Sequence, residues 1–250
     1  LSWIVPGIVA LGALVTGCQL ELDELDGVFY DGDNRLVHCG VNLDTSARTS
    51  LASIDGGLDR ARDRGEVIEL YAHHPGDTVP IATLEHVLAG AQQRGLAFYT
   101  YADFAHGRAI EPGLALSFDD TSVQAWYDLR PLLDRHAARV TFFVSRYYNI
   151  HDEQREQLRQ LADDGHDIAA HSVQHMRAPD YVEAHGLNAY LHDEVDPSIG
   201  VLRDAGYDIT SFAYPFGART GELDRAIGKR VGVLRSVAFT YGFVGDPCPR

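Results

Sequence analysis

The sequence predicts an α/β protein whose parallel strands close into a distorted (β/α) barrel. Short apolar runs and helical patterns alternate from Arg35 to about residue 238, and such alternation builds a parallel sheet covered by helices. Roughly seven to eight strands are present without a dinucleotide-type glycine fingerprint, which favours a barrel over a doubly wound sheet. Polar or turn residues also follow five separate strands at their C-terminal ends. That is the face on which barrels carry chemistry.

Taken in order, the chain reads as three parts: 1–18, 19–34 and 35–250. Leu1 to Gly17 carry no charge and are rich in Leu, Val, Ala, Ile and Gly. The run is short for a membrane span and ends in small residues before Cys18, the pattern of a secretory signal. Val15-Thr16-Gly17-Cys18 resembles a bacterial lipobox, whose Cys is lipidated and becomes the new N-terminus. An uncleaved N-terminal anchor is the alternative. Residues 19–34 read as an acidic tether.

Strands are expected at 36–43, 66–72, 96–101, 114–118, 139–144, 166–170, 209–213 and 231–238. Helices are expected at 50–64, 81–94, 123–136, 152–164, 187–205 and 219–229. The period is clearest in 81–94, where Ile81, Leu84, Val87, Leu88 and Ala91 form one stripe. Gly95 after it fits a helix C-cap.

A net charge of −15 argues against nucleic acid and anionic membrane surfaces as partners. It suits a neutral or cationic substrate. Cys39 and Cys248 remain once Cys18 is set aside. In an exported chain they are a candidate disulfide; otherwise they are two unpaired small apolar residues.

The chemistry concentrates in two stretches. Leu114 to Phe118 is an apolar strand that runs straight into Asp119 and Asp120. Two adjacent carboxylates at the edge of a core call for a bound cation or a shared proton, unless they merely cap the next helix. His171-Ser172-Val173-Gln174-His175 follows a second apolar run. A helical turn there would place both imidazoles on one face, able to share a metal. Two imidazoles and one carboxylate leave open positions on a divalent ion, as hydrolysis needs. His73, Asp44 and the turn Tyr214-Pro215-Phe216-Gly217 follow three further strands. Phe142 and Phe143 read as core, and Tyr147 and Tyr148 follow them beyond the strand end.

These stretches resemble the NodB-homology polysaccharide deacetylases (carbohydrate esterase family four). Ser117-Phe118-Asp119-Asp120 is similar to the family's Thr-Phe-Asp-Asp, which implies Asp119 as catalytic base and Asp120 as metal ligand. His171 to His175 is similar to its His-Ser/Thr-x-x-His, which implies the two remaining ligands. The turn at Tyr214 and Pro215 resembles the family's Pro-x-Gly motif, which lines the acetyl pocket and supplies a backbone donor to the oxyanion, here from Tyr214 or a neighbour. Leu70-Tyr71-Ala72-His73 resembles Leu-x-x-His, which implies His73 as catalytic acid. The resemblance spans residues 35–238.

The order departs from the family. Its Leu-x-x-His segment normally comes last, whereas here His73 precedes Asp119, which implies a circular permutation. The old junction then falls between 235–241 and 29–43, which draws Cys248 toward Cys39. Ala213 stands where the family often has the Arg that holds the catalytic Asp, and Arg235 is the candidate substitute. Asp44, or failing it Asp55, is the candidate partner of His73. The resemblance implies a metal-dependent hydrolase, with zinc the metal suggested by the N/O donor set; the lipobox-like segment at Cys18 implies that it is exported and lipid-anchored. Its substrate would be an N-acetylated (or O-acetylated) cell-envelope or extracellular polysaccharide. A non-catalytic glycan-binding lipoprotein and a small-molecule amidase are the alternatives.

Overall fold

Nine strands carry the architecture: β1 (Phe29–Tyr30), β2 (Val37–Asn42), β3 (Val67–Ala72), β4 (Ala97–Tyr99), β5 (Gly113–Asp120), β6 (Thr141–Val144), β7 (Asp167–Ala170), β8 (Ser211–Ala213) and β9 (Val233–Val237). The computed structural model describes residues 21–238 and 248. The expected signal segment, Cys18 and the residues just after Ala238 lie outside the described residues.

Seven strands, β2, β3, β5, β6, β7, β8 and β9, pair in parallel and close a ring, because β3 bonds to β5 on one edge and β2 on the other while β2 bonds to β9. The helices α1 (Leu51–Arg64), α2 (Ile81–Gln93), α3 (Tyr101–Ala105), α4 (Val123–Asp128), α5 (Arg130–Arg135), α6 (Asp152–Asp163), α7 (Ala178–His185), α8 (Leu187–Tyr190), α9 (Asp196–Asp204) and α10 (Gly221–Ile227) lie in the connections. Both faces of the ring are buried, so its strands read as continuous apolar runs rather than alternations.

Alternate residues divide between two cores, as a period of two requires. Leu70, Leu114, Leu116, Phe118, Phe142, Ile168 and Leu234 pack with helix residues such as Leu58, Leu88 and Leu158. Val67, Ala115, Phe143, Ala169, Ala213 and Val233 pack together with Tyr30, Tyr99, Tyr101 and Phe104, which plug the lower barrel.

The structure corrects three expectations. The eighth strand, β4, is not in the ring; it pairs only with Gly113 to Ala115, the lower part of β5. The stretch read as a tether is instead packed from Leu22 onward. Leu22, Val28, Phe29 and Tyr30 are buried, β1 runs antiparallel to the start of β3, and the Arg60 guanidinium lies 3.9 Å from the Phe29 ring centre. Acidic residues in that stretch hid a few apolar ones that cover an open strand edge. Third, the helix expected over 123–136 breaks at Leu129, where Pro131 enters the first turn of α5.

Cys39 on β2 and Cys248 form a disulfide, with Cα atoms 6.1 Å apart across a sequence separation of 209. It bridges the seam where β2 meets β9. Among the described residues no helix is long and apolar enough to cross a membrane.

Candidate active site

The C-terminal ends of the ring strands bring the distant motifs together. Asp120 ends β5, and His171 and His175 follow β7. Their candidate ligand atoms all lie within 4.8 Å of one another. The Asp120 Oδ1 atom is 3.2 Å from His175 Nε2 and 3.7 Å from His171 Nε2. His171 Nδ1 sits 2.9 Å from the Ala213 carbonyl and donates to it, which leaves Nε2 to act as a ligand. Burial, then the nearby His175, pushes the His171 pKa well below its ordinary value. Burial likewise lowers that of His175. Neutral imidazoles are the form that binds a metal. The donor set therefore fits a divalent ion.

The two histidines do not meet on a helix, as the spacing predicts. The turn from His171 to His175 is irregular, with Ser172 at φ 67° and His175 at φ 62°. Left-handed backbone at non-glycine residues costs of the order of 1–3 kcal/mol each and collects at functional sites. Asp120 at φ 82° and Phe216 at φ 60° share that conformation. Four such residues in one barrel mouth mark it as the place where the fold has been bent to serve geometry.

Asp119, one residue before the candidate ligand Asp120, is buried and ion-paired through Oδ2 with Arg235 Nη2. Arg235 comes from β9 and is a register partner of Ala213 on β8. The small side chain at 213 thus stands directly beside the strand position from which the Arg reaches Asp119. Arg235 also lies 4.8 Å from the Tyr71 ring centre and 5.1 Å from that of Phe143. Oδ1 of Asp119 is buried without a protein partner.

His73 follows β3, and its Nδ1 pairs with Asp44 Oδ2. The other Asp44 oxygen accepts from Thr78 Oγ1 at 2.7 Å and from the His73 N–H at 3.3 Å. Burial works against a charge on His73. The hydrogen bond that His73 donates to Asp44 and the charges of Asp119, Asp44 and Asp120 outweigh it, raising the pKa to about 9. Asp55 is occupied elsewhere, with His86 and Arg94 between α1 and α2.

Tyr214 is not an oxyanion donor. Its N–H bonds to the Arg235 carbonyl at 2.9 Å, continuing the ladder between β8 and β9. Its buried hydroxyl bonds to Asp224 at 2.9 Å. Pro215 has no N–H, so the next donor in the chain is Phe216. The Phe216 ring is exposed and meets the His175 ring edge-on, 4.7 Å between centres. Gly217 closes the turn at φ 64°, where a Cβ would lie 2.3 Å from Val237 Cγ2. Only glycine passes there.

Residues 106–234 match the family model for polysaccharide deacetylase. That range is more than half of the chain. The protein belongs to the polysaccharide deacetylase family. It holds Asp119, Asp120, His171, His175 and Pro215, and it excludes His73, Asp44 and Arg235. Among solved structures, this deacetylase is similar in fold to IcaB from Ammonifex degensii, at TM-score 0.56 and 20% identity over 74% of this chain and 91% of that one. It is also similar to the Streptococcus pyogenes deacetylase PplD in complex with acetate, at TM-score 0.50 and 17% identity over 66% and 78%. A third likeness is to the BpsB deacetylase domain from Bordetella bronchiseptica, at TM-score 0.50 and 15% identity over 85% and 96%. Comparison with curated proteins finds no match.

Several residues of the deacetylase site carry no signal in the sequence. Trp126 on α4 donates its Nε1–H to the His73 carbonyl at 3.0 Å, a bond between residues 53 positions apart. Thr78, which bonds to Asp44, is equally unmarked. Phe142 and Phe143 are core, and Tyr147 is buried, whereas Tyr148 is exposed. The large exposed hydrophobic residues among those described are Leu51, Ile81, Tyr148, Met176 and Phe216. Each lies between the C-terminal end of a ring strand and the body of the next helix. The large exposed hydrophobic residues thus share the barrel face that carries the candidate site.

Proposed function

We propose that this polysaccharide deacetylase is a metal-dependent hydrolase that removes N-acetyl groups from a cell-envelope or extracellular glycan. The observation that carries the reading is the juxtaposition at one barrel mouth of a metal-fitting triad, a carboxylate pinned by Arg235 and an imidazole held by Asp44. A divalent ion on Asp120, His171 and His175, zinc by the donor set, would polarise the acetyl carbonyl and acidify a water.

The chain's own groups handle the protons. Asp119 takes a proton from the attacking water through its unpartnered Oδ1. The Phe216 N–H donates to the oxygen that becomes negative when the carbonyl carbon turns tetrahedral. As the C–N bond breaks, His73 gives its proton to the leaving amine. The products are acetate and a free amine; the proton on Asp119 and the carboxyl proton of the product leave to solvent, from which His73 takes up a proton again. Tyr148 and Phe216 offer exposed aromatic faces to flanking sugar rings.

We also infer that the chain order is a circular permutation. The adjacency of β9 and β2, first and last strands of the ring, supports this. So does a family match that stops short of His73. The Cys39–Cys248 disulfide supports export to an oxidising compartment.

Acetate release from a panel of N-acetylated and O-acetylated glycans, with zinc and with chelator, tests the reading. Release that requires the metal supports it; metal-loaded protein that releases nothing from any glycan refutes it. His73 must be protonated to act, so activity is expected to fall as pH rises through about 9. Asp44→Asn removes the partner that holds that proton, and the basic limb should move down toward 6.5. A pH profile of kcat/KM checks this. The sign for stability is the same: the His73–Asp44 pair stabilises the fold fully below pH 6.5 and is lost through about 9.

A further inference from the structure

The turn that carries both histidine ligands is held by a residue outside every motif. Glu194 is buried, and its Oε2 accepts from the N–H groups of Val173 at 3.1 Å and Gln174 at 2.8 Å. Those are the two residues between Ser172 and His175, both in left-handed conformation. At the ends of the turn the His171 N–H bonds to the Val144 carbonyl at 3.0 Å and the His175 N–H to Ser172 Oγ at 3.0 Å. One carboxylate oxygen thus satisfies the centre of the turn.

The sequence explains how Glu194 comes to point there. It lies in a π-helical turn, Leu191–Val195, between α8 and α9. Pro197 enters the first turn of α9 and has no N–H to return to the preceding turn. The helix widens by one residue to accommodate the missing bond, and such bulges recur at functional sites. The rest of the buried face, Tyr190, Leu191, Val195, Ser198, Ile199 and Leu202, stays against the barrel. A carboxylate on that face is otherwise out of place.

We propose that Glu194 is a positioning residue that sets the metal affinity of the site by fixing the backbone between His171 and His175. This rests on the metal-dependent reading above. The test is the affinity of the full chain for Co2+ and Zn2+, by chelator competition and by the Co2+ absorption spectrum, with circular dichroism to establish folding. Glu194→Ala should weaken both metals ~10- to 100-fold, the usual effect of losing a group that orients metal ligands. Glu194→Asp keeps the charge but withdraws the oxygens by one methylene, and it should weaken binding as well. Glu194→Gln keeps an acceptor oxygen and should stay within a few-fold of wild type. A role confined to general stability would lower the unfolding temperature of the apoprotein and leave the affinity and spectrum of the folded fraction unchanged. Wild-type affinity in Glu194→Ala or Glu194→Asp overturns the inference, as does Glu194→Gln as weak as Glu194→Ala. Wild-type protein that binds neither metal overturns the metal reading and this inference together. Wild-type protein that binds metal and releases acetate, beside an unaffected Glu194→Ala, overturns this inference alone.

Discussion

Asp119→Asn is expected to lower turnover by ~10²- to 10⁴-fold, the usual contribution of a positioned general base, while metal affinity stays close to wild type. Asn fills the same space and can still accept from Arg235, but it takes no proton from water. His171→Ala should behave differently. It removes one of three clustered ligand groups, so metal affinity and turnover fall together. Acetate release and metal content measured on the same preparations separate the two. A prediction about stability accompanies the first variant. Arg235 is fully buried, and opposite an amide it keeps its charge with no countercharge, so Asp119→Asn should also melt earlier. An active Asp119→Asn would mean that the base is another group.

Arg235→Ala is expected to cost about 3–5 kcal/mol of unfolding free energy, the range for removing one partner of a buried ion pair. Burial alone would lower the pKa of this guanidinium, but the Asp119 carboxylate facing it raises it. Loss of the cation strands the buried Asp119 carboxylate without the guanidinium it is paired with. Proton transfer should suffer in the same variant, because Arg235 is the partner that fixes the Asp119 carboxylate. The placement of Arg235 beside Ala213 gives a stricter test. In Ala213→Arg/Arg235→Ala the cation moves to the neighbouring strand, to the position the family often uses. Recovery of part of the lost stability in the double variant, by urea unfolding, is the expected result. A single variant that loses less than ~1 kcal/mol, as an exposed pair would, contradicts the structural role.

Much of this site is legible in the sequence because strand ends are. The period of two, the apolar runs and the Gly stops place Asp119, Asp120, His73 and His171 at the same edge of a parallel sheet before any coordinate is known. Local chemistry also separates the two adjacent aspartates by their resemblance to a motif. What periodicity does not contain is which strands are neighbours. That Ala213 and Arg235 are register partners depends on the ring closing, and the ion pair with Asp119 spans 116 residues. For the same reason the sequence does not decide between Tyr214 and a neighbour as oxyanion donor, and the Tyr214 N–H is consumed by the carbonyl of Arg235, 21 residues on.

Backbone conformation is the other gap. The spacing of His171 and His175 fits a helix as well as the left-handed turn that forms. The choice falls to Glu194, whose two hydrogen bonds stabilise the turn from 20 and 21 residues away. Likewise the apolar residues from Leu22 to Tyr30 are too sparse to register as structure, yet Phe29 and Tyr30 pair with an open edge of β3 as a short strand. The sequence by itself determined the barrel, the carboxylate–histidine set and the disulfide candidates, because each depends on residue type and local period. Tertiary structure alone decided which cation faces Asp119, which N–H is free and what holds the histidine turn. Those are contacts between elements, and their free energy exists only once the ring has closed.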